Sequence, residues 1–219
     1  MKTAILVDGA FYRKRANELF GIKEAADRAK ELFAYCLKHL ESEHETRELY
    51  RIFYYDCKPI DRIIYHPLTK TNINFEHSEL YTWMNIFIKE LTKKRKFALR
   101  LGRLAEQANY ILRPEAVKEL FDKKRSLEDI VSADFMLDIK QKGVDMRIGL
   151  DISSMAFKKQ VNQIILIAGD SDFVPAAKQA RREGIDFILD NLGNHINPDL
   201  YEHIDGLETH YKDFYKKNN

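Results

Sequence analysis

The sequence predicts an α/β fold: a mainly parallel central sheet, helices on both of its faces, and an elaborated middle region. Three observations carry this. Short apolar or β-branched runs recur along the chain, segments of helical periodicity lie between most of them, and two runs, A-I-L-V and I-I-L-I-A, are almost unbroken, as buried parallel strands are. A chain of 219 residues can bury a sizeable core and suits one domain with an insertion. We therefore expect a single domain over 1–219, with 56–132 an insertion or cap within it.

Taken in order, strands are expected at Ala4 to Val7, Tyr50 to Tyr55, Phe97 to Leu101, Gln163 to Ala168 and Ile185 to Leu189. The clearest helix is Ala25 to Leu40, where Ala25, Ala29, Leu32, Phe33, Cys36, Leu37 and Leu40 recur on one face and Asp27, Arg28, Lys30 and Lys38 fall elsewhere. After Asp56 the pattern loosens: a polar stretch carries Pro59 and Pro67, then a helix is expected near Ser78 to Leu91, followed by the basic run Lys93 to Lys96. Gly143 precedes another helix, and Pro175 is tolerated in the first turn of one more.

Charged residues make up 32% of the chain yet sum to a formal +2, so any attraction for nucleic acid must come from local patches. The apolar start ends at Asp8, far short of a signal peptide's core, and no stretch approaches the ~20 apolar residues of a spanning helix. A cytoplasmic protein without membrane contact is expected. Cys36, on an apolar helical face, and Cys57, after a strand, read as unlinked thiols without metal-binding spacing.

The informative residues are acids at strand ends. A-I-L-V-D-G ends in Asp8, and Q-I-I-L-I-A-G-D-S-D-F ends in Asp170 and Asp172; K-G-V-D places Asp145 in a helix's first turn. Each acid alone is more often a turn or capping residue. Together, beyond the carboxyl ends of parallel strands where ligand crevices form, they repel: two carboxylates ~4 Å apart cost about 4 kcal/mol at an effective dielectric of ~20. Such a group asks for a cation. Oxygen ligands without histidine or thiolate point to Mg2+ or Mn2+, which activates water and shields a phosphodiester under attack.

Asp151 falls in the apolar stripe of Val144, Ile148 and Met155, so it must find a partner or protonate. It lies about 9 Å along the helix from Asp145, too far to share one ion, and is assigned an accessory role behind the ligands or a structural one. Asp56, ending Y-R-I-F-Y-Y-D, is an accessory acid or a turn residue. Ser171 is a helix cap or a hydroxyl for phosphate.

V-D-G-A-F, K-G-V-D-M-R-I-G-L-D-I and I-A-G-D-S-D-F-V-P-A, in that order, resemble the NYN domain family in its LabA-like bacterial branch, within the PIN-like nuclease superfamily. The resemblance frames Ile5 to about Leu189. It implies a Rossmann-like PIN fold and a metal-dependent ribonuclease whose catalytic and metal-holding acids are Asp8, Asp145, Asp170 and Asp172, with Asp151 a recurrent acid of the middle motif. One departure is D-G-A-F-Y after the first strand, where many relatives carry an asparagine.

An RNA substrate needs cations near the acids. Arg13, Lys14 and Arg15, and the run Lys93, Lys94, Arg95 and Lys96, are the candidates, although such runs are usually solvated helix faces. Tyr12, Tyr54, Tyr55 and Trp83 are candidates for stacking on bases, although aromatics at these spacings are more often core. Two rival readings stand beside the ribonuclease: a non-catalytic RNA-binding or regulatory module on the same fold, and a haloacid dehalogenase-like phosphatase, whose last acidic motif G-D-S-D resembles. The phosphatase requires a second acid two positions after Asp8, where this chain has Ala10.

Overall fold

The computed structural model describes residues 1–42 and 45–218, and the side chains of all of these except 215–218. In chain order it contains β1 (Lys2–Asp8), α1 (Gly9–Phe20), α2 (Ala25–Lys38), β2 (Glu48–Cys57), β3 (Ile63–His66), β4 (Thr71–Asn74), α3 (Glu79–Thr92), β5 (Phe97–Leu104), β6 (Asn109–Leu112), α4 (Pro114–Phe121), β7 (Phe135–Asp138) and β8 (Gln141–Lys142). The remainder is α5 (Val144–Phe157), β9 (Gln163–Ile167), α6 (Val174–Arg182), β10 (Asp186–Asp190), α7 (Pro198–Tyr201), β11 (Gly206–Leu207) and α8 (Tyr211–Asn218). No described helix is long and apolar enough to cross a membrane.

The central sheet has the order β11-β10-β9-β1-β2-β5-β8. Every pairing is parallel except that of β8, which runs antiparallel to β5. All five strands expected from the sequence are present, and the fold is the α/β architecture with a mainly parallel sheet and helices on both faces. Alternation along β1 explains the layering: Ala4 and Leu6 pack with Ile148, Ile152 and Ala177 of α5 and α6, whereas Ile5 and Val7 pack with Tyr12, Leu32 and Phe87 of α1, α2 and α3. Both faces of β1 and β9 are thus buried, which is why their sequences lack polar alternation.

The chain builds β1, β2 and β5 outward in one direction, then returns to place β9 on the other side of β1 and continues to β10 and β11. The strand order therefore reverses between β1 and β9, and the crevice of an open sheet lies beyond the carboxyl ends of that pair. Val7 faces Ile167 across it, so Asp8 and the A-G-D-S-D turn emerge side by side.

Within 56–132, Phe87 and Leu91 of α3 lie in the core, and β5 is a full strand of the main sheet. What stands apart is the β3–β4 hairpin and the β6–β7 pair, joined where the His66 ring meets Tyr110 and Phe135 at centroid distances of 4.4 and 5.1 Å. Arg28 is fully buried, bonded to Glu31, Asn17 and the Gly21 carbonyl, while Tyr12 and Lys23 reach the Glu31 carboxylate. The buried pair ties the elbow between α1 and α2, although Arg28 Nε is left without a hydrogen-bond partner. Cys36 and Cys57 are free and buried.

Candidate active site

The first acid is both strand end and helix cap. Asp8 closes β1 in an extended conformation, and its Oδ1 accepts the backbone N–H groups of Ala10 at 3.0 Å and Phe11 at 3.2 Å. Asp170 repeats the device after β9, its Oδ1 accepting the N–H of Asp172 at 3.0 Å as it opens the 3-10 turn Ser171–Phe173. Asp170 thus caps the 3-10 turn that Ser171 begins, and no side chain caps α6 itself. Each of these carboxylates is anchored through one oxygen, and its Oδ2 has no hydrogen-bond partner among the described residues.

Asp145 and Asp172 do not cap. The chain leaves β8 and enters α5 through Gly143, whose φ of +77° favours glycine, and no side chain caps that helix. Both residues are exposed and their carboxylates make no hydrogen bond among the described residues. Burial pushes the Asp8 carboxyl up to about 6; the Phe11 N–H opposes this and the charge of Asp145 adds to it. Partial desolvation, despite the residue's exposed position, raises the Asp145 carboxyl as well, assisted by repulsion from Asp170 and Asp172. Asp145 thereby links the end of β1 to the turn after β9.

The glycines of the two motifs are steric requirements. A Cβ on Gly169 would lie 2.4 Å from Phe11 Cε2, and one on Gly9 would lie 2.4 Å from Tyr54 Cζ and 2.6 Å from Asp56 Oδ2. The first turn of α1 is wedged between the ends of β2 and β9, and this wedge brings Asp8 alongside the second acidic turn.

The remaining predicted residues are engaged elsewhere. Asp56 is buried and pairs with Arg13, while accepting from Tyr54 Oη at 2.8 Å, Cys57 N–H at 2.7 Å and Gln141 Nε2 at 3.3 Å. Asp151 accepts from Tyr55 Oη and Arg100 Nε, each at 2.9 Å, the partner its apolar stripe demanded. Tyr12, Tyr54 and Tyr55 are fully buried and Trp83 stacks on Phe87, so these aromatics are core. Arg15 is tied to Glu18 and the Leu192 carbonyl; Lys14 is exposed.

The run Lys93, Lys94, Arg95 and Lys96 precedes the amino end of β5, which is parallel to β1 through β2, so it sits at the sheet edge opposite Asp8. Lys93 pairs with Glu90, Lys94 lies over the Phe33 ring, and Lys96 reaches the Leu49 carbonyl. Cations that the sequence reading passed over stand at the correct edge. Arg103 and Lys142 face each other where β5 meets β8, beside a cleft of about 360 Å³, and the charges of Arg147 and Asp145 both act on the Cys57 thiol. A second groove, about 780 Å³, runs from Asp145 and Asp172 between α5 and α6 past Met146 and Leu150.

The donor set suits a hard divalent cation. It is all carboxylate, two members are raised in part by neighbouring negative charge, and two have no hydrogen bond to give up. Among the described residues no three of these carboxylates form by themselves a group with donor atoms within 4.8 Å. Mg2+ and Mn2+ retain waters and do not require so tight a cage.

Comparison with known proteins places these features in context. The family model described as NYN domain matches residues 2–195, a span that includes all four acids. No curated protein matches the chain. The crystal structure of a protein of unknown function from Vibrio parahaemolyticus RIMD 2210633 aligns with a TM-score of 0.46 and 16% identity, over 95% of this chain and 91% of that one.

Proposed function

The chain belongs to the NYN domain family, whose PIN-like members are generally nucleases, and on that premise we propose a metal-dependent ribonuclease of the LabA-like branch. It hydrolyses RNA phosphodiester bonds in the cytoplasm at Asp8, Asp145, Asp170 and Asp172. One observation supports the reading: at the point where strand order reverses, burial together with the charge of Asp145 raises the Asp8 carboxyl, and burial together with the charges of Asp170 and Asp172 raises that of Asp145. Such a cluster is costly without a counter-charge, which a divalent cation would supply.

Asp8, Asp145, Asp170 and Asp172 would hold Mg2+ or Mn2+ directly or through its water shell, and the ion would supply Lewis-acid charge to make a water acidic and shield the phosphodiester. The protein's own contribution is placement. Asp8 and Asp170, each fixed through Oδ1 by backbone N–H groups, present Oδ2 without a rotamer search. Asp145 and Asp172, without hydrogen bonds, adjust to ligand and product. Arg103, Lys142 and Arg147 hold the RNA backbone at the same sheet edge. Asp151 and Asp56 act behind the site, aligning Tyr55 with Arg100 and Tyr54 with Arg13.

The test is incubation of the full chain with labelled single-stranded and structured RNAs in Mn2+, Mg2+ or EDTA. Cleavage is expected only with metal, and Asp170→Asn, which keeps an acceptor for the Asp172 N–H, is expected to lose about a hundredfold or more in rate while remaining folded. Unchanged cleavage by that variant rejects the site. RNA retention without cleavage in any metal favours the non-catalytic module.

A further inference from the structure

Far from the four aspartates in sequence, and partly outside the matched span 2–195, a second constellation gathers at the end of β10. His39, immediately after α2, is fully buried; its Nε2 meets Asp190 Oδ2 at 2.8 Å. Asp190, also buried, is held by the Tyr35 hydroxyl at 2.6 Å and the Leu192 N–H at 2.8 Å. The other ring nitrogen, Nδ1, is buried with no hydrogen-bond partner and faces Glu208 Oε1 at 3.9 Å. Glu208 Oε1 in turn lies 2.9 Å from His210 Nε2, and the two imidazoles stand edge to face with centroids 4.7 Å apart. One donor atom from each of His39, Glu208 and His210 lies within 4.8 Å of the other two.

An orphaned buried nitrogen is costly, and 3.9 Å is too long for a hydrogen bond. Zinc bonds of 2.0 to 2.2 Å at tetrahedral angles put neighbouring donors roughly 3.4 Å apart, so a small inward shift of the two donors would let them share one ion. The tautomer fits as well. With Nε2–H donated to Asp190, the Nδ1 lone pair is free and directed at its neighbours, the carboxylate–histidine arrangement that orients a metal-binding imidazole. Two imidazoles and a carboxylate form a donor set softer than the four aspartates, suited to zinc and poorly suited to Mg2+. Arg47, whose two terminal nitrogens each reach a Glu208 oxygen at 2.8 Å, orients that carboxylate.

We propose that His39, Glu208 and His210 bind one Zn2+ ion, with a water completing the shell, at a site separate from the aspartate cluster. The ion joins the end of α2 to the segment that adds β11 to the sheet and leads into α8. It acts as a clasp between the matched domain and its carboxyl-terminal extension.

The experiment strips the full chain with a chelator, adds ZnCl2, and follows stoichiometry by calorimetry and unfolding by a thermal melt. One equivalent of zinc is expected to bind and to raise Tm by about 5–10 °C at about a hundred times Kd, with MgCl2 unable to replace it in this response. His210→Ala, which leaves the buried His39–Asp190 pair intact, is expected to abolish both readouts, and His39→Gln to do the same. Asp172→Asn is expected to leave zinc uptake unchanged, separating this site from the proposed nuclease centre. No uptake by the full chain overturns the proposal, as does uptake that survives His210→Ala or disappears in Asp172→Asn.

Discussion

Replacing Asp8 by Asn removes one charge from the acidic cluster while keeping the cap, because the amide oxygen still accepts from Ala10 and Phe11. The carboxyl is pushed from its usual 3.8 up to about 6, and each unit corresponds to about 1.4 kcal/mol of difference between the two protonation states. The folded chain holds this proton more tightly than the unfolded chain does. Stability is therefore fully present below 3.8, falls as the pH rises to about 6, and stays at the lower level above that. Ionised Asp8 accordingly costs the metal-free protein about 2–3 kcal/mol at pH 7.5. Asp8→Asn should recover most of it, raising Tm in EDTA by about 5–10 °C for a chain of this size. The pH-dependent loss should shrink by the same amount, while RNA cleavage disappears. Millimolar Mn2+ should close the gap, because it stabilises only the protein that can bind it. Calorimetry of both proteins from pH 4 to 7.5, with EDTA or Mn2+, measures each part. A variant no more stable than wild type in EDTA at pH 7.5 would refute the reasoning, because Asp8 would then carry no excess charge cost.

Two further outcomes probe the scaffold and the approach of RNA. Gly169→Ala drives a methyl into the Phe11 ring and should cost about 1–3 kcal/mol in urea unfolding, with RNA cleavage lowered as the first turn of α1 shifts; unaltered stability and rate would show that the wedge is not tight. Arg103→Ala with Lys142→Ala should weaken RNA binding and flatten its logarithmic salt dependence by about 1.4, whereas Lys93→Ala with Lys94→Ala should change neither; anisotropy at several salt concentrations decides, and the opposite ranking would put the RNA at the other sheet edge.

The strands that matter most were legible because burial on both faces leaves a continuous apolar run, as in Ile164 to Ile167. The pairs β3–β4 and β6–β7 offered only four residues per strand, and β11 only Gly206 and Leu207, too little for any period to register. The burial of Arg28 was not legible in the helical periodicity, which set it off the apolar face; it depends on Glu31, Asn17 and the Gly21 carbonyl, which only the elbow between α1 and α2 assembles. The acids were visible as interruptions at strand ends. Their cations were not, although one clue was available: a basic run preceding a parallel strand must lie at the amino edge, away from acids that follow their strands. His39 and Glu208 carry no spacing signal, since the fold alone makes them neighbours.

Capping and ligand binding are not competing roles for Asp8 and Asp170. A carboxylate has two oxygens, and in both residues the backbone takes Oδ1. The consequence is electrostatic as well as geometric. Asp145 and Asp172 are free to rotate and can move apart from their neighbours; Asp8 and Asp170, anchored after adjacent parallel strands, cannot turn away from Asp145, whose charge acts on Asp8 and which is itself acted on by Asp170. The placement of Asp8 and of the turn holding Asp170 is kept by the same close packing that admits only glycine at positions 9 and 169. A cation entering there then gains the relieved repulsion on Asp8 and Asp145 in addition to its own coordination, with little reorganisation of the protein. A rigid cap is in this way a better metal ligand than an unconstrained side chain, and the bond that marks Asp8 as a helix start also prepares it for the ion.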